Sequence, residues 1–153
     1  MGKVAEFEAE RARRVRIKTP SNRPCLRHQQ RVSVAMDIML ERPDGQCVTC
    51  EASNISRSGL TVSCDQEAVR QLIPGMRPPA PGNWTETKAR FSLPVIPSEK
   101  PAAVISEAHI VHMRRVSRDE FELGIQFCEF EANGFDYVDK YVTRLLIEGK
   151  QAP

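Results

Sequence analysis

Phe121, Leu123, Ile125 and Phe127 recur at every second position of EFELGIQFCEF, with Glu120, Glu122 and Gln126 between them. Apolar and polar residues alternating over such a span form a β-strand with one face buried, since successive side chains point to opposite sides. The apolar set is expected to face a core and Glu120, Glu122 and Gln126 to face away. The same period governs Arg31 onward, where Val32, Val34, Met36, Ile38 and Leu40 share one face. Pro43-Asp44-Gly45 supplies a turn, after which CVTCEASNI returns as a second strand.

LTVSC, with Leu60, Val62 and Cys64 on one side, reads as a third strand, and Asp65 to Leu72 has helical composition. The proline-dense RPPAPGN is a loop leading to the single tryptophan, Trp84. TKARFSLPV and residues 102 to 116 make the fourth and fifth strands, and EFELGIQFCEF the sixth. Phe135, Val138, Val142, Leu145 and Leu146 then form a helical stripe that stops at Gly149. The expected fold is all-β with a C-terminal helix: six antiparallel strands in a small barrel, the helix covering an open end. Closure into a barrel also removes exposed strand edges.

A chain of 153 residues, 41% hydrophobic and 27% charged, suits one globular domain. Residues 1–22 read as a basic arm, a short helix or a mobile segment, because Val4, Phe7 and Val15 give only a thin apolar stripe. The folded domain is expected over 23–149, with 150–153 as a tail. There is no run of 18 apolar residues for a membrane span and no signal-peptide pattern, and Met1-Gly2 is followed by Glu6 where acylation needs Ser or Thr. Five cysteines, an odd number spread through strands, fit a reducing compartment, so the expected location is cytoplasmic.

The charge is unevenly placed. Arg11, Arg13, Arg14, Arg16, Lys18, Arg23, Arg27 and Arg31 fall in one stretch without an acidic residue. Such a stretch attracts phosphate-bearing partners, and arginine's planar fork suits phosphate oxygens and guanine edges alike. Cys47 and Cys50 make a CxxC, but a three-residue offset on a strand sends the thiols to opposite faces. The same geometry is expected to separate His109 from His112. No nucleophile elbow, phosphate loop or Ser/His/Asp order is present, so an enzyme is not expected.

Two short patterns carry a resemblance. Arg27-His28-Gln29-Gln30-Arg31 is an Arg-x-x-x-Arg just before the first strand, and Asn54-Ile55-Ser56-Arg57-Ser58-Gly59 is an Asn-x-Ser-x-x-Gly between the second and third. With the later LIPGM loop and the ELGIQF strand, they make residues 23 to 147 resemble the PilZ domain, a bacterial receptor for cyclic di-GMP. That resemblance implies a ligand site formed by Arg23, Arg27, Arg31, Asn54, Ser56 and Gly59, with His28 and Arg57 at variable positions that reach a phosphate or face water. Asn54 stands where Asp is more frequent, which removes a charge.

The resemblance further implies no cofactor beyond the ligand, no DNA or RNA partner, no membrane insertion, and a downstream protein partner. It leaves one bound ligand or a stacked pair open, with Arg23 placed to serve the second. Two other readings are a small barrel for single-stranded nucleic acid and a PilZ-like adaptor without nucleotide. Aromatic content of 6% gives the first few stacking platforms, and the intact motifs weigh against the second.

Overall fold

The computed structural model describes residues 30–94 and 100–152. The strands are β1 (Val32–Glu41), β2 (Cys47–Ile55), β3 (Gly59–Cys64), β4 (Thr85–Leu93), β5 (Ala102–Ser117) and β6 (Glu120–Phe130). They close into an antiparallel barrel in the order β1-β2-β3-β6-β5-β4. Helix α1 (Gln66–Leu72) follows β3, a 3-10 turn (Pro74–Met76) follows it, and helix α2 (Gly134–Ile147) ends the fold. The expected six-stranded barrel with a C-terminal helix is the observed architecture.

Alternation decides which face is buried. Val32, Ile38 and Leu40 of β1 and Phe121, Leu123, Ile125 and Phe127 of β6 lie in one core. Rings continue that core toward α2: Phe91 stacks near Phe127 at 6.0 Å, Phe127 tilts on Phe130 at 4.8 Å, and Phe130 meets Phe135 of the helix at 5.9 Å. These separations suit aromatic pairs, which add specific geometry to area burial. The helix packs on β5, β1 and β4, with Val138 and Val142 fully buried.

Asp65 starts α1 by accepting the Ala68 N–H at 2.8 Å, an N-cap bond that satisfies one orphan donor. Gly149 ends α2 at φ 80°, in the left-handed region. There its N–H donates to the Leu146 carbonyl (3.1 Å), while the Lys150 N–H donates to that of Leu145 (2.9 Å). This paired closure is a Schellman turn and depends on a residue without Cβ strain. It sends the chain back to the barrel, where Lys150 to Ala152 run along the start of β1: Ser33 N–H donates to Lys150 O (2.9 Å) and Ala152 N–H to Arg31 O (2.8 Å).

One expectation about exposure and one about facing are corrected. Gln126 lies on the outer face opposite His109, as alternation implies, yet is only 6% exposed. Its β3 partner is Gly59, and the turn before β3 lies alongside β6, with Phe127 N–H donating to Ser58 O at 2.8 Å. His109 and His112 share an outer face instead of pointing apart. The β5–β6 register runs His109↔Gln126, Ile110↔Ile125, His112↔Gly124, so Val111 is an extra residue that restores the side chain at 112 to the face of 109. No group of three His, Cys, Asp or Glu suited to a metal ion occurs among the described residues. Cys47 is exposed and Cys50 buried, on opposite faces of β2. No helix among the described residues is long and apolar enough to cross a membrane.

Candidate functional site

Arg31, the last residue of the first pattern, meets the second pattern at the mouth formed by the start of β1, the end of β2 and the start of β3. Pairing sets Ser33 opposite Asn54 and Asn54 opposite Thr61. Arg31, one residue before β1, turns its side chain across these strands. Its Nη1 donates to Asn54 Oδ1 at 2.8 Å and to Thr61 Oγ1 at 3.4 Å. Both acceptors are neutral, so they orient the guanidinium without cancelling its charge. Burial lowers the Arg31 pKa, and the nearby Glu122 carboxylate opposes that shift. A partly desolvated cation held by neutral groups is suited to take a hydrogen-bonding anion.

With Oδ1 engaged by Arg31, the Asn54 amide nitrogen keeps its two donors for a ligand acceptor such as a guanine O6. An aspartate at this position would pair ionically with Arg31 and neutralise it. The substitution noted in the sequence therefore has a consequence: positive potential at the mouth is retained.

Ser56 has a different place. It is 0% exposed, and its hydroxyl accepts the N–H groups of Ser58 (3.2 Å) and Gly59 (3.1 Å) while contacting Ser58 Oγ at 3.1 Å. It builds the turn from within. Ser56→Ala is expected to cost about 1–3 kcal/mol, since two enclosed donors lose their acceptor. Urea denaturation checks this, and a cost near zero would mean that the turn does not depend on the hydroxyl.

Gly59 is required by a neighbouring strand. A Cβ at this position would lie 2.0 Å from the Ile125 carbonyl oxygen of β6, so the close approach is between backbones.

Arg57, partly exposed, is paired with the C-terminal helix. Its Nε meets Asp139 Oδ1 of α2 at 2.6 Å and its Nη2 donates to Thr143 Oγ1 at 2.7 Å. The turn between β2 and β3 is thus tied to the C-terminal helix. Both partners are partly exposed, at 28% and 45%, so a double-mutant cycle of Arg57→Ala and Asp139→Ala is expected to yield a coupling of about 0.5–1 kcal/mol in stability. Strictly additive effects would show the pair to be inert.

Arg23, Arg27 and His28 lie outside the described residues. Sequence reasoning missed Thr61, which completes the cradle under Arg31, and the backbone of Lys150 to Ala152, which fixes the chain that carries Arg31. Thr61 had one available signal: it lies two residues beyond Gly59, where a hairpin returns it beside Asn54.

A cleft of about 770 Å³ opens at the other end of β1, lined in part by Arg42, Asp44, Ile73, Arg77 and Trp84. It is roughly 30 Å from Arg31 along the strand. Arg42 is committed there to Asp44 at 2.8 Å and to Gln46 at 3.2 Å. Arg77 also lines the cleft, but neither sequence pattern reaches it. The mouth at Arg31 is the better candidate.

A family model of the PilZ domain matches residues 26–144, and the chain belongs to that family. Among solved structures it is similar to the inhibitor of motility MotI/DgrA of Bacillus subtilis, with 16% identity and a TM-score of 0.59 over 86% of this chain and 54% of that one. It is also similar to MrkH of K. pneumonia in its c-di-GMP complex (12% identity, TM-score 0.49, 88% of this chain and 56% of that). A further similarity is to PlzA of Borreliella burgdorferi in complex with c-di-GMP (11%, 0.43, 95% and 55%). The chain spans about half the length of these solved chains. The likeness to MotI/DgrA is one of fold. A search of curated proteins gives no match.

Proposed function

We propose that this chain is a cyclic di-GMP receptor that binds its ligand on the outside of the barrel, at the mouth between Arg31 and the Asn54 to Gly59 turn. The observation that carries the reading is the 2.8 Å bond from Arg31 to Asn54, which joins the two family motifs in one polar cradle. The chemistry agrees, because each half of the ligand offers a phosphate for a guanidinium and a guanine edge with paired acceptors. Arg27 and Arg23, on the chain leading into Arg31, supply further cations to the same ligand. Arg23 would serve a second, stacked molecule. Ser56 and Gly59 act by holding the turn that presents Asn54.

Binding brings the segment that carries Arg23 and Arg27 against the barrel beside Arg31, and the rearranged surface is read by a protein partner. Differential affinity for the docked arrangement is the only means by which the ligand can favour it. No catalytic step is part of this reading. Calorimetric titration of the full chain with cyclic di-GMP, beside a short single-stranded oligonucleotide, tests it. Saturable binding of the dinucleotide is expected, while binding of the oligonucleotide should be weak and fade steeply as salt rises. Tight, salt-resistant oligonucleotide binding with no heat from the dinucleotide would reverse the assignment.

A further inference from the structure

Two cysteines outside the candidate pocket face each other across neighbouring strands. The β2–β3 ladder pairs Ala52 with Val62 and Glu51 with Ser63, and one more step along it sets Cys50 of β2 opposite Cys64 of β3. Both side chains turn to the same side. Cys50 belongs to the core at 4% exposure, while Cys64 packs against that core and stays partly open to solvent. Directly opposed residues in an antiparallel ladder have Cα atoms about 4.5–5.5 Å apart, inside the span of about 4.4–6.8 Å that a disulfide bridges.

We infer that Cys50 and Cys64 form a convertible dithiol, with Cys64 the attacking thiol and Cys50 the resolving one, oxidised by a low-molecular-weight disulfide. In the first step the Cys64 thiolate attacks one sulfur of the reagent, whose S–S bond breaks and releases one thiolate. The mixed disulfide on Cys64 is then attacked by the Cys50 sulfur, which gives up its proton to water as the second thiolate leaves. Two electrons pass from the cysteine pair to the reagent, and the two thiol protons end on the two released thiols.

The exposure of the two residues sets this order, because only Cys64 is open to a reagent. Hydrogen bonding between the thiols acts in the same sense, lowering the pKa of Cys64 and, with burial, pushing the Cys50 thiol up. No third metal-binding side chain joins the pair among the described residues. The closed loop runs from 50 to 64 and contains Asn54, Ser56 and Gly59, so the bond would lie at the base of the hairpin that carries the candidate pocket. The inference stands independently of what that pocket binds.

The full chain, reduced and freed of reductant, is equilibrated in glutathione buffers of increasing oxidised fraction, quenched with a maleimide and mapped by peptide mass. The expected result is one linked peptide pair joining Cys50 to Cys64 with loss of two hydrogens, while exposed Cys47 carries maleimide or a single glutathione and no peptide link. In Cys50→Ser a mixed disulfide with glutathione should collect on Cys64, because its resolving partner is gone. Full maleimide labelling of Cys64 at the most oxidising buffer, or linkage of either cysteine to Cys25 or Cys47 instead, would overturn the inference. Mapping the unaltered chain keeps the test decisive even if a variant folds poorly.

Discussion

Arg31→Ala is expected to weaken cyclic di-GMP binding by about 100-fold, close to 3 kcal/mol. The size follows from what the side chain supplies. A charge-assisted bond to a phosphate or a bidentate contact to a guanine edge is roughly twice as strong as a neutral hydrogen bond. Partial burial raises its value further, since a desolvated cation loses less to competing water. The alanine variant also releases Asn54 from its only side-chain partner among the described residues, so the amide donors lose their aim. Stability should change little by comparison, because the two lost bonds end on neutral, partly exposed groups. Arg31→Lys separates charge from geometry. An ammonium keeps the charge but not the fork, so affinity should remain at least about tenfold below that of the wild type. Calorimetry on all three proteins measures this. Equal affinities for wild type and Arg31→Ala would remove Arg31 from the site.

The second large effect is on the fold. Gly59→Ala places a methyl carbon 2.0 Å from the Ile125 carbonyl oxygen, with Gln126 Cα a further 3.3 Å neighbour. Both neighbours are backbone of β6, which is hydrogen-bonded on its two sides to β3 and β5. Neither can swing aside as a side-chain tip would. Relief requires separating β3 from β6 at the first pair of their ladder, Gly59↔Gln126, and that opens the turn where Phe127 N–H reaches Ser58 O. A loss of about 3–5 kcal/mol is expected, a large share of a domain's total stability of about 5–15 kcal/mol. Chemical denaturation gives the number, and a loss below about 1 kcal/mol would mean that the strands are not so closely set. Ligand affinity should fall in the same variant through loss of the turn, so the two measurements belong together.

The contrast between Arg31 and Gly59 shows what the sequence disclosed. Both were visible as members of short patterns, and local alternation placed them correctly at strand ends. The alternation in β1 and β6 was legible because each strand buries one face against a common core. What those residues do at the mouth was less legible, since it depends on which strands lie side by side. Gly59 looks like a residue kept small for a ligand, yet the atom that a Cβ would strike belongs to Ile125, more than sixty positions away in the chain. Arg57 looks like a free cation in a variable position, and its partners are on α2.

Bulges account for the other departures. A single added residue reverses the facing of everything beyond it, and Val111 does this to His112 in a strand whose alternation was already irregular. The Cys50 and Cys64 pairing has the same origin: a register shift between Ala52 and Asn54 sets which residues of β2 and β3 are opposed, and no local period reports it. The return of Lys150 to Ala152 to the start of β1 depends on the direction in which the Gly149 turn releases the chain.

The proposed location of cyclic di-GMP is where Arg31 and Asn54 meet, and not the cleft at the far end of β1. An amide and side-chain chemical-shift map of the full chain, recorded while cyclic di-GMP is added to saturation, decides between the two places. The largest changes are predicted at Arg31, Asn54 and the residues from Ser58 to Thr61, with Arg42, Arg77 and Trp84 nearly still. Changes concentrated around Arg42 and Trp84, with Arg31 and Asn54 unmoved, would place the ligand in the cleft instead.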